Sequence, residues 1–304
     1  MRRLLVEVPA TSANLGPGFD TLGLALNIVD TVQVELQEDN QDVVLCSVAG
    51  EDIDRLDPRE NLICRAYRAW AEDTGEDLPG ARFSLQSRIP VGKGLGSSAA
   101  SIVAGLSAAT KVAGTEDSRA RALFLAARLE GHADNVAAAM YGGLVTTFVD
   151  GDSVHALHVA NHLSLGIALF VPQEPLPTDE TRAGLPQSVA MADAVFGLGR
   201  LAYLTTALIW GKWELIGPAM QDRLHQPYRG RLLPALDHVI AAALEGGAYG
   251  SALSGGGPTV IALGPAAQAE QFAAAMEVQA EKSGWVGKSV VTQVRHLGVQ
   301  IKEE

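Results

Sequence analysis

Four groups of residues in this 304-residue chain are of types that hold and transfer charged groups. The first is the run Pro90-Val91-Gly92-Lys93-Gly94-Leu95-Gly96-Ser97-Ser98-Ala99-Ala100. Its three glycines free the backbone to curl and leave no side chain to keep a ligand away. The Ser97 and Ser98 hydroxyls then open an Ala-rich stretch whose first amides would point into the bend, which is the build of a phosphate cradle. The second group is Glu130, His132, Asp134 and Asn135, a dense polar cluster in an apolar region. The third is Asn14 and Asp20, set among the glycines and prolines of residues 9–20. Arginines make the fourth: Arg182, and Arg229 with its neighbours Arg223 and Arg231.

Several familiar chemistries are excluded by spacing. A Walker loop needs Gly, four residues, then Gly-Lys-Ser/Thr, which this run lacks, and the dinucleotide fingerprint needs glycine at position 97, which is Ser. Glu130-Gly131-His132 is not the His-Glu-x-x-His of a zinc protease. Each group also has a plainer use. Asn14 and Asp20 suit turns, Asp134 or Asn135 can cap a helix, and Arg182 can be a solvated charge. His225 reads as a structural or rim residue.

For these groups to meet, strands and helices must carry them. Phe83, Leu85, Ser87 and Ile89 alternate with polar neighbours, and Ile102, Val103, Leu106 and Ala109 recur at helical spacing, so the glycine run joins a strand to a helix. Residues 4–8 read as a strand and 9–20 as an irregular loop, followed by strands at 32–36 and 43–45 around the acidic turn Glu38-Asp39-Asn40. Residues 61–73 and 119–129 read as helices and 144–149 as a strand. Residues 165–171 are a buried strand, after which Pro172, Pro175 and Pro177 hold the chain extended. The long helical region 189–213 is expected to break near Gly197-Leu198-Gly199. A glycine-rich hairpin at 254–259, a helix at 268–282 and a strand at 289–294 end the chain as a ferredoxin-like unit would. The domains are expected at 1–160 and 161–304.

The formal net charge of −12 argues against a nucleic-acid partner, and any anionic ligand must be held by local donors against that field. No apolar run reaches the roughly 18 residues of a membrane span. Cys46 and Cys64 form no metal pattern and read as buried free thiols. A cytoplasmic protein is expected.

The glycine run resembles the phosphate-binding motif of the GHMP small-molecule kinases. Residues 9–20 resemble the first motif of the homoserine kinases within that group, since the basic residue that mevalonate kinase and galactokinase carry there has no counterpart between Pro9 and Asp20. Residues 130–135 and 254–259 resemble further motifs in the family's order, and the resemblance covers nearly the whole chain. It implies an α+β, two-domain GHMP kinase fold, with a ribosomal-protein-S5-domain-2-like N-terminal half and a ferredoxin-like C-terminal half. It implies ATP bound by residues Pro90 to Ala100, and Mg²⁺ held by Ser98 and Glu130. For L-homoserine it implies Asn14 and Asp20 at the ammonium, Arg182 and Arg229 at the carboxylate, His132 at the pocket and Asn135 facing the hydroxyl, without a side-chain base. Two departures stand out. Glu130 precedes His132 by only two residues where some members have a longer spacer, and the serine often seen before Thr178 is Pro177. A homodimer is expected. The alternatives are a GHMP kinase of another small alcohol and a non-catalytic amino-acid-binding regulator on the same fold.

Overall fold

The computed structural model describes residues 2–37, 41–50, 61–115, 118–160 and 163–304, so the acidic turn expected at 38–40 lies outside the described residues. The first sheet is built on a long antiparallel pair, β1 (Arg3–Asn14) and β2 (Gly18–Gln37). Leu4, Val6 and Val8 on β1 and Val32, Val34 and Leu36 on β2 recur at period two and are buried, as a sheet covered on one face requires. β3 (Val43–Gly50) runs parallel to β4 (Gly80–Ser87), and β4 pairs with β2. Between them α1 (Leu62–Thr74) starts where the Asn61 side chain accepts the Ile63 N–H at 2.9 Å. Then come α2 (Ser97–Ala113), α3 (Ser118–Glu130) and α4 (Asp134–Tyr141), followed by the hairpin β5 (Leu144–Asp150) and β6 (Ser153–Ala160).

Residues 9–20 are more regular than their composition implies. β1 continues through Pro9 to Asn14, which leaves residues 15–17 as the connection. The pairing with β2 slips between Pro9 and Ala10 and again between Ala13 and Asn14. Proline lacks a ladder donor and is tolerated at such irregularities.

The second sheet begins with β7 (Gly166–Pro172). A helical excursion follows: α5 (Thr178–Ala183), α6 (Met191–Ile209), α7 (Ile216–Ala219), α8 (Gln226–Arg229) and α9 (Leu236–Glu245). β8 (Gly250–Leu253), β9 (Val260–Gly264), α10 (Ala269–Lys282) and β10 (Gly287–Thr292) complete it. The antiparallel order β10-β7-β9-β8 is that of the split βαβ fold, as expected for the C-terminal half. Leu236 and Val239 of α9 and Phe272 and Met276 of α10 bury against Phe170 and Val260 as a second core.

α6 does not break at Gly197-Leu198-Gly199. Gly197 is buried there, and a Cβ on it would meet the Leu224 side chain at 3.1 Å, so close packing outweighs the ~1 kcal/mol that glycine costs a helix. The membrane expectation needs an amendment: α6 is, among the described residues, the one helix long and apolar enough to cross a membrane by length and composition. Cys64 is buried, its thiol pushed up to about 11 by desolvation, but Cys46 is exposed, contrary to expectation. The last strand, β11 (Gln300–Glu303), returns to pair with β1, Leu4 opposite Glu303. A division at 160/161 is therefore a proposal that the chain's own end crosses.

Candidate active site

The residues between β4 and α2 form a bend that is anchored at both ends. At its start Asp30, buried on β2, accepts the backbone N–H groups of Arg88 at 2.6 Å and Ile89 at 2.9 Å. Desolvation raises this carboxyl to about 6 against the lowering effect of those bonds. At its end Gly96, in the left-handed region at φ 71°, leads directly into α2. A cavity of about 340 Å³ opens on the bend, lined by Val91, Gly92, Gly96, Ser97 and Ser98 and closed opposite by Glu130, His132 and Asn135. The expected phosphate loop and polar cluster therefore face one another.

Not every residue expected at the phosphates lines that cavity. Ala99 and Ala100 are packed into the core, and Pro90 borders a separate groove. The Lys93 ammonium is engaged by the Pro172 carbonyl at 2.8 Å and by that of Gln173, which fastens the loop to the end of β7.

Two of the glycines serve the loop's rear contact. A Cβ on Gly94 would lie 2.4 Å from the Ser254 carbonyl oxygen and 2.7 Å from that of Gly257. On Gly96 it would lie 2.0 Å from Thr11 Oγ1. Thr11 donates its backbone N–H to Leu95 O at 3.0 Å, Thr259 to Lys93 O at 3.2 Å, and Ser254 Oγ donates to Gly94 O at 2.7 Å. Residues 9–20, 90–100 and 254–259 are thus interlocked.

In the polar cluster Ser98 Oγ donates to Glu130 Oε1 at 2.6 Å. Burial raises the Glu130 carboxyl, opposed by the Ser98 bond and His132. His132 Nδ1 lies 2.6 Å from Asp134 Oδ1, which also accepts the Asn135 N–H at 2.7 Å. Burial pulls the imidazole pKa down, but Asp134, Glu130 and Asp20 outweigh it and hold it above its ordinary value. Neither Asp134 nor Asn135 caps α4: Ala133 occupies that position. Thr11 Oγ1 donates to Asn135 Oδ1 at 2.7 Å, and the Asn135 amide nitrogen has no protein partner among the described residues.

The charges expected at the amino-acid substrate border the cavity through Gly255. Its carbonyl accepts from Asn14 Nδ2 at 2.9 Å and from Arg229 Nη1 at 3.2 Å. Asn14 Oδ1 accepts the Asp20 N–H at 3.1 Å, so both ends of this amide are engaged and its part is to fix Asp20. Asn14, Leu15 and Asp20 all have positive φ, strain that the surrounding bonds hold in place. Arg182, on α5, gives Asp20 two bonds of 3.0 and 2.8 Å. Arg229 is buried; desolvation and then Arg182 lower its guanidinium to about 10. Both arginines approach Phe19, their guanidiniums 5.7 and 5.4 Å from its ring centre. Arg223 and Arg231 stack instead on Phe196 and Tyr228, and of the three only Arg229 is buried.

Sequence reasoning missed three participants. Phe19 sits beside Asp20 but carries no chemical signal of its own, and Thr11 and Asp30 act through side-chain bonds to partners distant in the chain. His225, read as structural or rim, is fully buried beneath Phe19, ring centres 5.2 Å apart.

A glycine-lined bend into a helix, backed by a second glycine hairpin from a split βαβ half, defines a class. Residues 61–143 match the GHMP kinases N terminal domain and residues 204–281 the GHMP kinases C terminal region. The homoserine kinase of Caldanaerobacter subterraneus is 39% identical over 97% of this chain and 94% of its own, and that of Gloeobacter violaceus 42% identical over 86% and 87%. The crystal structure of homoserine kinase from Cytophaga hutchinsonii superposes with a TM-score of 0.89 at 32% identity, covering 99% and 97% of the two chains. The chain belongs to the homoserine kinase family of GHMP kinases. Mevalonate kinase of Leishmania major, at 15% identity and a TM-score of 0.71, shares the fold.

Proposed function

We propose that the protein transfers the γ-phosphoryl group of ATP to the side-chain hydroxyl of L-homoserine, giving O-phospho-L-homoserine for threonine biosynthesis. One observation carries the choice of substrate: a carboxylate, Asp20, and two guanidiniums, Arg182 and Arg229, stand together beside the phosphate cradle. A zwitterion needs both signs of charge there, whereas a sugar or an isoprenoid alcohol does not. An ADP-release assay offering homoserine, mevalonate and galactose tests the reading. Turnover with homoserine alone supports it, and turnover with either other alcohol instead overturns it.

Phosphoryl transfer goes through a loose transition state, in which positioning and charge neutralisation do most of the work. In this reading the backbone of residues 91–98 and the first amides of α2 hold the phosphates. Ser98 and Glu130 supply two oxygen donors 2.6 Å apart. That donor set suits Mg²⁺, which takes oxygen ligands and keeps waters and phosphates for its remaining positions. Bound there, the ion would neutralise phosphate charge. Asn135, its amide oxygen occupied by Thr11, offers only N–H donors and cannot take a proton. Asp134 holds His132 and the Asn135 amide, so neither residue is assigned as a base. The proposal extends to a cytoplasmic, homodimeric enzyme, whose mass light scattering would read.

A further inference from the structure

The environment of His225 decides its protonation from two sides at once. Nε2 lies 2.8 Å from the Gly16 carbonyl oxygen, an acceptor, so it must carry the hydrogen. Nδ1 lies 2.9 Å from Arg229 Nη1, and a guanidinium only donates, so Nδ1 must be bare. An imidazolium would set N–H against N–H. The ring is therefore neutral, in the Nε2–H tautomer: burial and Arg229 lower its pKa and outweigh the Asp222 carboxylate, 3.5 Å from Nε2, and Asp20, which raise it.

Its place in the chain is equally fixed. The Asp222 carboxylate accepts the backbone N–H groups of Leu224, His225 and Gln226 at 2.8, 2.8 and 2.7 Å, and so pins the turn that starts α8. Gly16, the other partner, belongs to the connection between β1 and β2 that also presents Asn14 and Asp20. A Cβ on Gly16 would lie 2.0 Å from Met220 O, so this connection is docked against the helical excursion. His225 thus ties the element bearing the anion of the site to the element bearing one of its cations.

The bond to Nδ1 also selects what Arg229 can show a ligand. Its two Nη1 hydrogens are used by His225 and by Gly255 O. Nε is buried and has no hydrogen-bond partner among the described residues. Two parallel bonds to a carboxylate can then come only from the Nε–Nη2 edge.

We propose that His225 is a positioning residue for carboxylate recognition: from between Gly16 and Arg229 it holds the arginine so that its Nε–Nη2 edge meets the substrate carboxylate. The inference rests on the reading of an amino-acid substrate, and it assigns His225 no contact with substrate. Its worth is that of a charge-assisted bond held in register, on the order of tenfold or more in binding.

Two variants separate the two bonds. His225→Gln places its amide near the Nε2 position and can serve Gly16 while losing the acceptor for Arg229. His225→Asn places an acceptor near Nδ1 and keeps Arg229 while losing Gly16. Each is assayed with homoserine and with its methyl ester, with melting temperature as the control for folding. The Gln variant is expected to raise KM for homoserine at least about tenfold, leave KM for ATP unchanged, and bring homoserine and ester close together; the Asn variant retains most of the wild-type preference. An equal loss on homoserine and ester would show a merely structural role and overturn the proposal. Nitrogen-15 NMR of the wild-type imidazole gives a reading that needs no substrate: a bare Nδ1 and a protonated Nε2 from pH 6 to 9 are expected. A His225 that becomes imidazolium in that range overturns the proposal even if homoserine is the substrate. The expected tautomer in an enzyme that ignores homoserine would place the error in the proposed function.

Discussion

Asp20 and Arg182 face each other through two near-parallel bonds, although 162 positions separate them in the chain. Asp20 belongs to β2 of the first sheet and Arg182 to α5 of the second half. A zwitterion that brings an ammonium to Asp20 and a carboxylate to Arg182 meets each partner already oriented by the other. The pair is part-exposed, so its own contribution to stability is small, within about 1 kcal/mol. Its value lies in placement.

Arg182→Lys is expected to raise KM for homoserine by at least roughly tenfold with KM for ATP little changed, because lysine cannot reproduce two parallel bonds. Steady-state kinetics with each substrate varied in turn checks this. An ester of the substrate carboxylate should cost the wild type heavily and the variant much less.

At the cradle, the informative change is Ser97→Asp. Ser97 lines the cavity at the first turn of α2, and a carboxylate there opposes phosphate while leaving the rear contacts of Gly94 and Gly96 untouched. Calorimetry should show ATP binding weakened at least about tenfold, since like charges a few ångströms apart repel by several kcal/mol at the dielectric of a protein surface. Gly96→Val is a poorer probe, because its side chain would displace Thr11 and Asn135 before meeting any ligand.

Glu130→Gln should raise the Mg²⁺ concentration needed for half-maximal rate sharply, by tenfold or more if one charged oxygen ligand is lost. Titrating activity after chelator treatment reads the effect. An unchanged curve would remove Glu130 from the metal.

Asp134→Asn should keep measurable turnover. Its carboxylate is occupied by His132 and the Asn135 amide, so the loss is one of orientation. Complete inactivity in a fully folded variant would make Asp134 the base.

Asp30 gives a dependence on pH whose sign follows from its raised carboxyl. The fold disfavours the ionised form, so this group supports the fold most below about pH 4 and loses that support as pH rises through about 6. Above that, ionised Asp30 costs roughly 3 kcal/mol for a displacement of about two pH units. Asp30→Asn, neutral at every pH and still an acceptor for Arg88 and Ile89, should therefore gain stability relative to the wild type between pH 4 and 7. Urea midpoints compared across that range decide it; a flat difference would remove Asp30 as the source.

Much of this was legible from residue order. The phosphate bend could be read because glycine, serine and a strand–helix junction each leave a local signature. The choice of Arg229 over Arg223 and Arg231 rests on the family resemblance alone; what distinguishes it physically is its burial beside Phe19. Pro9 and the glycines of residues 9–20 misled the reading, because shifts of strand register absorb them and nothing local announces such shifts. The uses of Thr11, Asp30 and His225 depend on partners 58 to 209 positions away, beyond any periodicity.

The approach of Gly94 to Ser254 and Gly257 bears on how such an enzyme can be altered. The two halves touch there through main-chain atoms, with no room even for a methyl group. Main chain carries no identity to mutate, so apart from the Ser254 hydroxyl this seam offers little to re-tune by exchanging side chains. A chimera that joins the first half of one relative to the second half of another must reproduce the spacing of both glycine-rich segments. Change is easier to accommodate around Phe19, where the side chains of Asp20, Arg182 and Arg229 meet.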